Sequence, residues 1–253
     1  MSSLIKTPEE IEKIRVSGKI LGFVLRKLSA SAAPGVSLLD LDKLAHDLII
    51  QEGGTPAFLG YRPDGARAKF PHTLCASINE TIVHGRPSSY KLKSGDVLKL
   101  DLGVNWRGGI TDAALSLAIG KVPKETLHLI KMTKKSLMEA IRAVKPRATV
   151  GDIGFAVERA AAHGNIKIIE GLTGHGVGNE LHEDPIIFNY GRPGAGAMLK
   201  EGMVIAIEPM TSPTTTKCVQ IGDDSFVTSD KSVSAHFEHT VLVTVKGADI
   251  LTD

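Results

Sequence analysis

Hydrophobic and polar positions along the chain fall into helical and strand patterns that recur in the same order. Thr7-Pro8-Glu9-Glu10 reads as a helix start, with a capping threonine, a proline suited to the first turn and a glutamate completing a capping box. Ile11, Ile14, Leu21, Val24, Leu25 and Leu28 then recur at helical spacing. Pro34-Gly35 interrupt them, and Ser37 with Asp40 opens a second helix that carries Leu41, Leu44, Ala45 and Leu48 and closes at Gly53-Gly54. The plan returns from Pro123. Leu127, Ile130, Leu137, Ile141 and Val144 mark one helix and Pro146 ends it. Thr149 with Asp152 then opens another, which holds Ile153, Val157 and Ala160 and ends at Gly164.

Strand signals repeat as well. Residues 93–101 (KSGDVLKLD) and 200–208 (KEGMVIAIE) each give a polar turn with glycine, then an alternating strand ending on a carboxylate. Asp112 followed by AALSLAIG parallels Glu238 followed by HTVLVTVKG. Matches in one order predict an internal duplication, a single unit over 1–253 with halves of roughly 1–120 and 121–253. A repeat of that size is no solenoid unit. It predicts an α+β fold in which two pseudo-symmetric halves form a central, largely antiparallel sheet with helices on its outer face. Residues 55–75, punctuated by Pro, Gly and Arg, read as a loop.

A chain of 253 residues buries a sizeable core without disulfides. Its 30 Lys and Arg against 28 Asp and Glu leave +2, so no global field points to a specific nucleic acid or to a membrane. Cys75 and Cys218 make no disulfide framework and suit a reducing compartment. No basic-then-apolar leader opens the sequence, and no uncharged apolar run nears the roughly 18 residues of a membrane span. A cytoplasmic location is the expectation.

The carboxylates change the picture. Asp101 and Asp112 flank LGVNWRGGIT, whose centre, Asn105 to Gly109, looks like a hairpin turn. A symmetric register would set the two acids directly opposite each other, where like charges destabilise a strand pair. At about 4 Å and an effective dielectric near 20 the repulsion is on the order of 4 kcal/mol. From this pair alone, two acids on a solvent-facing hairpin is an equal alternative. Glu208, however, ends the apolar strand MVIAIE, and Glu238 opens another, HTVLVTV, where an unpartnered charge is costly to bury. Between the first pair of acids and the second stand Gly174-His175-Gly176-Val177-Gly178 and His182. Two divalent cations would neutralise four such acids. Carboxylate and imidazole ligands without thiolate favour Mn²⁺, Fe²⁺, Co²⁺ or Zn²⁺ over a structural Cys-type zinc. Two such ions would activate a water and clamp a carbonyl, which is hydrolytic chemistry.

The motifs SINETIVHG, DLGVNWRGGITDAA, GHGVGNELHEDP, EGMVIAIEPM and SAHFEHT stand in the order and spacing of a known family. From TPEEIEKIRVSGKI to SAHFEHTVLVT the chain resembles the type I methionine aminopeptidases. That resemblance implies the two-fold pita-bread fold and a single catalytic domain. It implies two divalent ions held by Asp101, Asp112, His175, Glu208 and Glu238, with Asp112 and Glu238 touching both. Asp101 would complete one ion, and His175 with Glu208 the other. His84 and His182 match the substrate-facing histidines and, with Glu208, would act in catalysis. Tyr61, Cys75 and Phe226, with Phe58 and Phe70, would line the methionine pocket. Residues 62–69 look inserted beside that pocket, and Leu172, Leu181 and Phe226 replace the family's commoner aromatic or methionine, Phe and Trp respectively.

The implied activity is removal of the initiator methionine from nascent proteins and peptides, preferentially before a small second residue, by a monomer. A proline-directed peptidase on the same fold is the competing activity. A catalytically silent binding protein is the non-enzyme alternative, for which lost ligands would be expected. The resemblance also allows transient ribosome association, for which Lys131, Lys134, Lys135, Lys145 and Arg147 would form a basic patch. An ordinary solvated helix face explains those residues better.

Overall fold

The computed structural model describes residues 4–62, 68–222 and 224–253. The middle of the inserted stretch, 63–67, lies outside the described residues. Helices occupy the four anticipated positions: α1 (Pro8–Ser31), α2 (Leu38–Gln51), α3 (Lys124–Ala143) and α4 (Val150–His163). Capping boxes close three of their N-termini, pairing Thr7 with Glu10, Ser37 with Asp40 and Thr149 with Asp152. α3 begins after Pro123 without a side-chain cap. Lys131, Lys134, Lys135, Lys145 and Arg147 are all exposed, on α3 and the loop after it.

The first-half strands are β1 (Thr55–Pro56), β2 (Cys75–Ile78), β3 (Thr81–Val83), β4 (Val97–Trp106) and β5 (Gly109–Ala118). The second half contributes β6 (Lys167–Ile168), β7 (Thr173–Gly176), β8 (Glu183–Phe188), β9 (Val204–Ile207) and β10 (Met210–Ser212). It continues with β11 (Cys218–Gln220), β12 (Phe226–Thr228), β13 (Ala235–His236), β14 (His239–Thr244) and β15 (Gly247–Ile250). β4 pairs with β1, β2 and β5, while a five-stranded sheet runs β15-β14-β9-β7-β8. Pairing is antiparallel throughout these two sheets. The stretch read as a loop thus contains one short strand, β1, set against Val104 and Asn105.

Each helix pair covers its own half. Leu21, Leu28, Leu41 and Ile49 pack with Leu98, Leu100 and Leu102 of β4. Ile141, Ile153 and Val157 pack with Ile205, Ile207 and Val241. The correspondence between the two halves extends to small details. Gly95 and Gly202 precede β4 and β9 with φ of 108° and 84°, turns that disfavour any side chain. The cap residues Ser37 and Thr149 bridge to Lys91 and Met198, which stand at matching distances before those turns.

The halves meet at one seam. Ala114 and Glu238 exchange backbone hydrogen bonds, of 3.4 Å from the Ala114 N–H and 2.9 Å from the Glu238 N–H. On one side Thr240 Oγ1 accepts the Asp112 N–H at 2.9 Å and donates to the Asp112 carbonyl at 2.7 Å. On the other Ser116 Oγ donates to the His236 carbonyl and accepts its N–H, both at 2.8 Å. β5 therefore runs alongside 236–240 with hydroxyls completing the ladder. No helix among the described residues is long and apolar enough to cross a membrane.

Candidate metal centre

The β4–β5 register corrects the expected opposition of Asp101 and Asp112. The loop is the two-residue turn Arg107-Gly108, with φ of 51° and 89°, and Trp106 faces Gly109. Such a turn matches the twist of the flanking strands, so it is chosen over one centred a residue earlier. Asp101 consequently faces Ala114, and Asp112 faces Gly103. The acids are diagonal neighbours on one face, close enough to share cations without standing in direct opposition.

The seam then delivers Glu238 beside Ala114, and β9 ends on Ile207 with Glu208 next in the chain. His175 sits on β7 opposite Ala206. The flanking glycines let these strands close: a Cβ at Gly174 would lie 2.3 Å from the Ala206 carbonyl oxygen, and one at Gly176 would lie 2.1 Å from that of Asp184. His175 Nδ1 donates to the Gly176 carbonyl at 2.8 Å. This leaves the lone pair on Nε2, which faces Glu208 Oε1 at 3.5 Å. Burial lowers the His175 pKa, and the neutral ring is the ligand form.

The four acids are held as no solvated acids would be. Burial, then the charge of Asp112, pushes Asp101 well above the usual carboxylate range. Burial moves Asp112 from 3.8 to about 7, opposed by the Ala113 N–H and by a hydrogen bond from Asp101. Glu208 and Glu238 rise through burial first and the neighbouring acids second. Buried Asp101 Oδ1, Asp112 Oδ1 and Glu238 Oε1 have no hydrogen-bond partner. Among the described residues no lysine or arginine forms an ion pair with any of the four. Orphaned buried oxygens at a neutral imidazole fit divalent cations, the partner such a group needs. One donor atom each from Asp112, His175 and Glu238 already lies within 4.8 Å of the others.

All five expected ligands line one cavity with Tyr61, Cys75, His84 and His182, and Phe58 and Phe70 form part of its wall. Cys75 pairs with Asp101 across β2 and β4, and burial followed by the Asp101 charge keeps it a neutral thiol. The turn through Gly178, at φ 144°, brings His182 back to His175, with ring centroids 4.4 Å apart and nearly perpendicular. Tyr61 Oη lies 2.6 Å from His182 Nδ1. His84, just after β3, has φ of 60°, a strained value that turns it into the cleft edge-on to Phe226. Phe226 itself lines an adjoining groove with His84, Leu172 and Ile186 rather than the deep cavity.

Sequence reasoning missed several supporting groups. Thr240 and Ser116 lock the seam. The fully buried pair Lys6–Glu183 holds the His182 turn, whose Asn179 and Glu180 N–H groups also bond Glu183 Oε1 at 2.7 and 2.9 Å. His236 is wholly buried beside Glu208. A signal for it was present, because His236 stands two residues before Glu238 in SAHFEHT, the spacing that shares a face in extended chain.

The model of metallopeptidase family M24 matches residues 12–245. Methionine aminopeptidase of Clostridium acetobutylicum is 40% identical over 251 residues, covering 98% of each chain. That of Aquifex aeolicus is 40% identical over 257 residues, covering 100% of each. The crystal structure of methionine aminopeptidase from Thermotoga maritima superposes with a TM-score of 0.94 at 38% identity over 98% of each chain. Prolidase from Pyrococcus furiosus shares the fold at a TM-score of 0.78 and 24% identity, over 99% of this chain and 65% of its own.

Proposed function

As a member of metallopeptidase family M24 with full-length methionine aminopeptidase relatives, this chain is a metallo-exopeptidase for N-terminal methionine, and we propose how its residues divide that work. Asp101, Asp112, His175, Glu208 and Glu238 would together hold two divalent cations. When bound, such ions polarise the scissile carbonyl and make water nucleophilic at neutral pH. The observation that carries this reading is the convergence of buried, unpartnered carboxylate oxygens on a neutral imidazole in one cavity.

The remaining groups bind and orient. Phe58, Tyr61, Phe70 and Cys75 give the cavity an apolar wall suited to a thioether side chain. With Tyr61 Oη donating to His182 Nδ1, 2.6 Å away, the ring proton would stand on Nε2. Partial desolvation in the cleft, then the nearby His175 and His84, lowers the His182 pKa, so a neutral Nε2–H would be offered to the carbonyl oxygen as negative charge develops there. His84, also kept neutral by desolvation, would bond the substrate near the scissile nitrogen. Glu208 would pass the nucleophile's proton to the leaving amine. The two halves, roughly 1–120 and 121–253, act as one catalytic unit because the ligands come from both.

The test is hydrolysis of Met-Ala-Ser by metal-stripped and reloaded protein, alongside peptides varied at the second residue and an Ala-Pro peptide. Methionine release should vanish with chelator, return with Mn²⁺, Co²⁺ or Fe²⁺, and fall as the second residue grows. Full activity without metal, or cleavage of Ala-Pro with no methionine release, would overturn the reading.

A further inference from the structure

One nitrogen donor beside the carboxylates has no place in the scheme above. His236 ends β13 and is 1% exposed, and neither ring nitrogen has a hydrogen-bond partner. An imidazole buried in that condition is expensive unless something satisfies its nitrogens. Its Nε2 lies 3.5 Å from Glu208 Oε2, the oxygen opposite the one that faces His175. Glu208 thus stands between two imidazoles, one on each oxygen. One donor atom each from Glu208, His236 and Glu238 lies within 4.8 Å of the other two. Donors bound about 2.1 Å from one tetrahedral ion stand about 3.4 Å from each other, close to the His236–Glu208 separation.

We propose that His236 is a metal ligand, forming with Glu208 and Glu238 a third divalent-cation position distinct from the one at His175. The proposal rests on the metal reading of the neighbouring acids and extends it. Two ions already neutralise the four carboxylates, so the third is held mainly by donor geometry and binds more weakly than the first two. A neutral imidazole with two carboxylate oxygens suits the borderline ions Mn²⁺, Co²⁺ and Zn²⁺.

Metal-stripped full-length protein should be titrated with Mn²⁺, counting bound ions by calorimetry and by loss of the free-ion electron paramagnetic signal. Wild type should take up two ions and then a third, weaker one. His236→Gln keeps much of the ring's reach and packing while giving up the imidazole, and His236→Leu removes the donor. Both should lose the third binding event and keep the first two. Pulsed electron paramagnetic resonance of the three-ion form should show more imidazole nitrogen coupling than that of the glutamine variant. Saturation of wild type at two ions, or a third event that survives in His236→Gln, would overturn the proposal. Two tight ions with normal methionine release would leave the functional reading standing in that case, whereas failure to bind any ion would remove both.

Discussion

Asp112→Asn should make the metal-free protein more stable while destroying its use of metal. Without cations, burial holds Asp112 near pKa 7 against 3.8 in an unfolded chain. Folded protein therefore binds more protons than unfolded protein between those values, and stability falls as pH rises through that window. About three pKa units at roughly 1.4 kcal/mol each put the penalty on the order of 4 kcal/mol at pH 7.5 and near zero below pH 4. Asparagine keeps the size of the side chain, and its carbonyl can still accept the hydrogen bond from Asp101. Buried His236 and His239, with pKa values lowered to about 3 and about 4, penalise folding in the opposite direction as pH falls. They are common to both proteins, whereas Asp101, Glu208 and Glu238, whose pKa values the Asp112 charge helps to raise, are relieved in the variant and add to the gain. Urea denaturation in the presence of chelator at pH 4, 5.5 and 7.5 reads the difference between variant and wild type. A gain that grows with pH is expected. An unchanged or negative difference at pH 7.5 would refute the claim that the centre stores charge repulsion when empty of cations.

His182→Ala and His84→Ala should retain bound metal while lowering turnover on Met-Ala-Ser by roughly 10²–10³-fold, the range for losing one transition-state donor. Glu238→Ala should instead lose affinity for the second ion first; calorimetry beside steady-state kinetics separates the cases. Lys6→Met should destabilise the fold by about 3 kcal/mol by leaving buried Glu183 without its cation, measured by urea denaturation; a change below 1 kcal/mol would count against a buried pair. Gly176→Ala should cost at least about 2 kcal/mol, because its Cβ would lie 2.1 Å from a backbone oxygen, and a thermal melt as high as wild type's would show that the strands can part.

Much of the fold was legible because its signals are local. Capping boxes, proline breaks and apolar spacing act within a few residues, and α1, α2, α3 and α4 lie where those signals put them. The donor residues were legible for a related reason, since acids ending apolar strands conflict with their surroundings unless something binds them. What escaped was register. Whether the turn is centred at Trp106-Arg107 or Arg107-Gly108 depends on the backbone angles of two residues, and that choice moved Asp101 and Asp112 from opposite to diagonal. Long-range partners escaped too. Nothing local to Lys6 announces Glu183, and nothing local to Thr240 announces Asp112.

The seam between β5 and 236–240 has a consequence for the protein's life in a cell. Asp112 and Glu238, two of the acids proposed above as metal ligands, are also residues whose backbones join the halves. Without metal, the cost of burying these acids falls on the strands that make the Ala114–Glu238 bridge, so local opening is expected at this seam. An opened seam presents strand edges to proteases and to other chains. On the metal reading proposed above, metal supply would then bear on how long each copy lasts as well as on how fast it works.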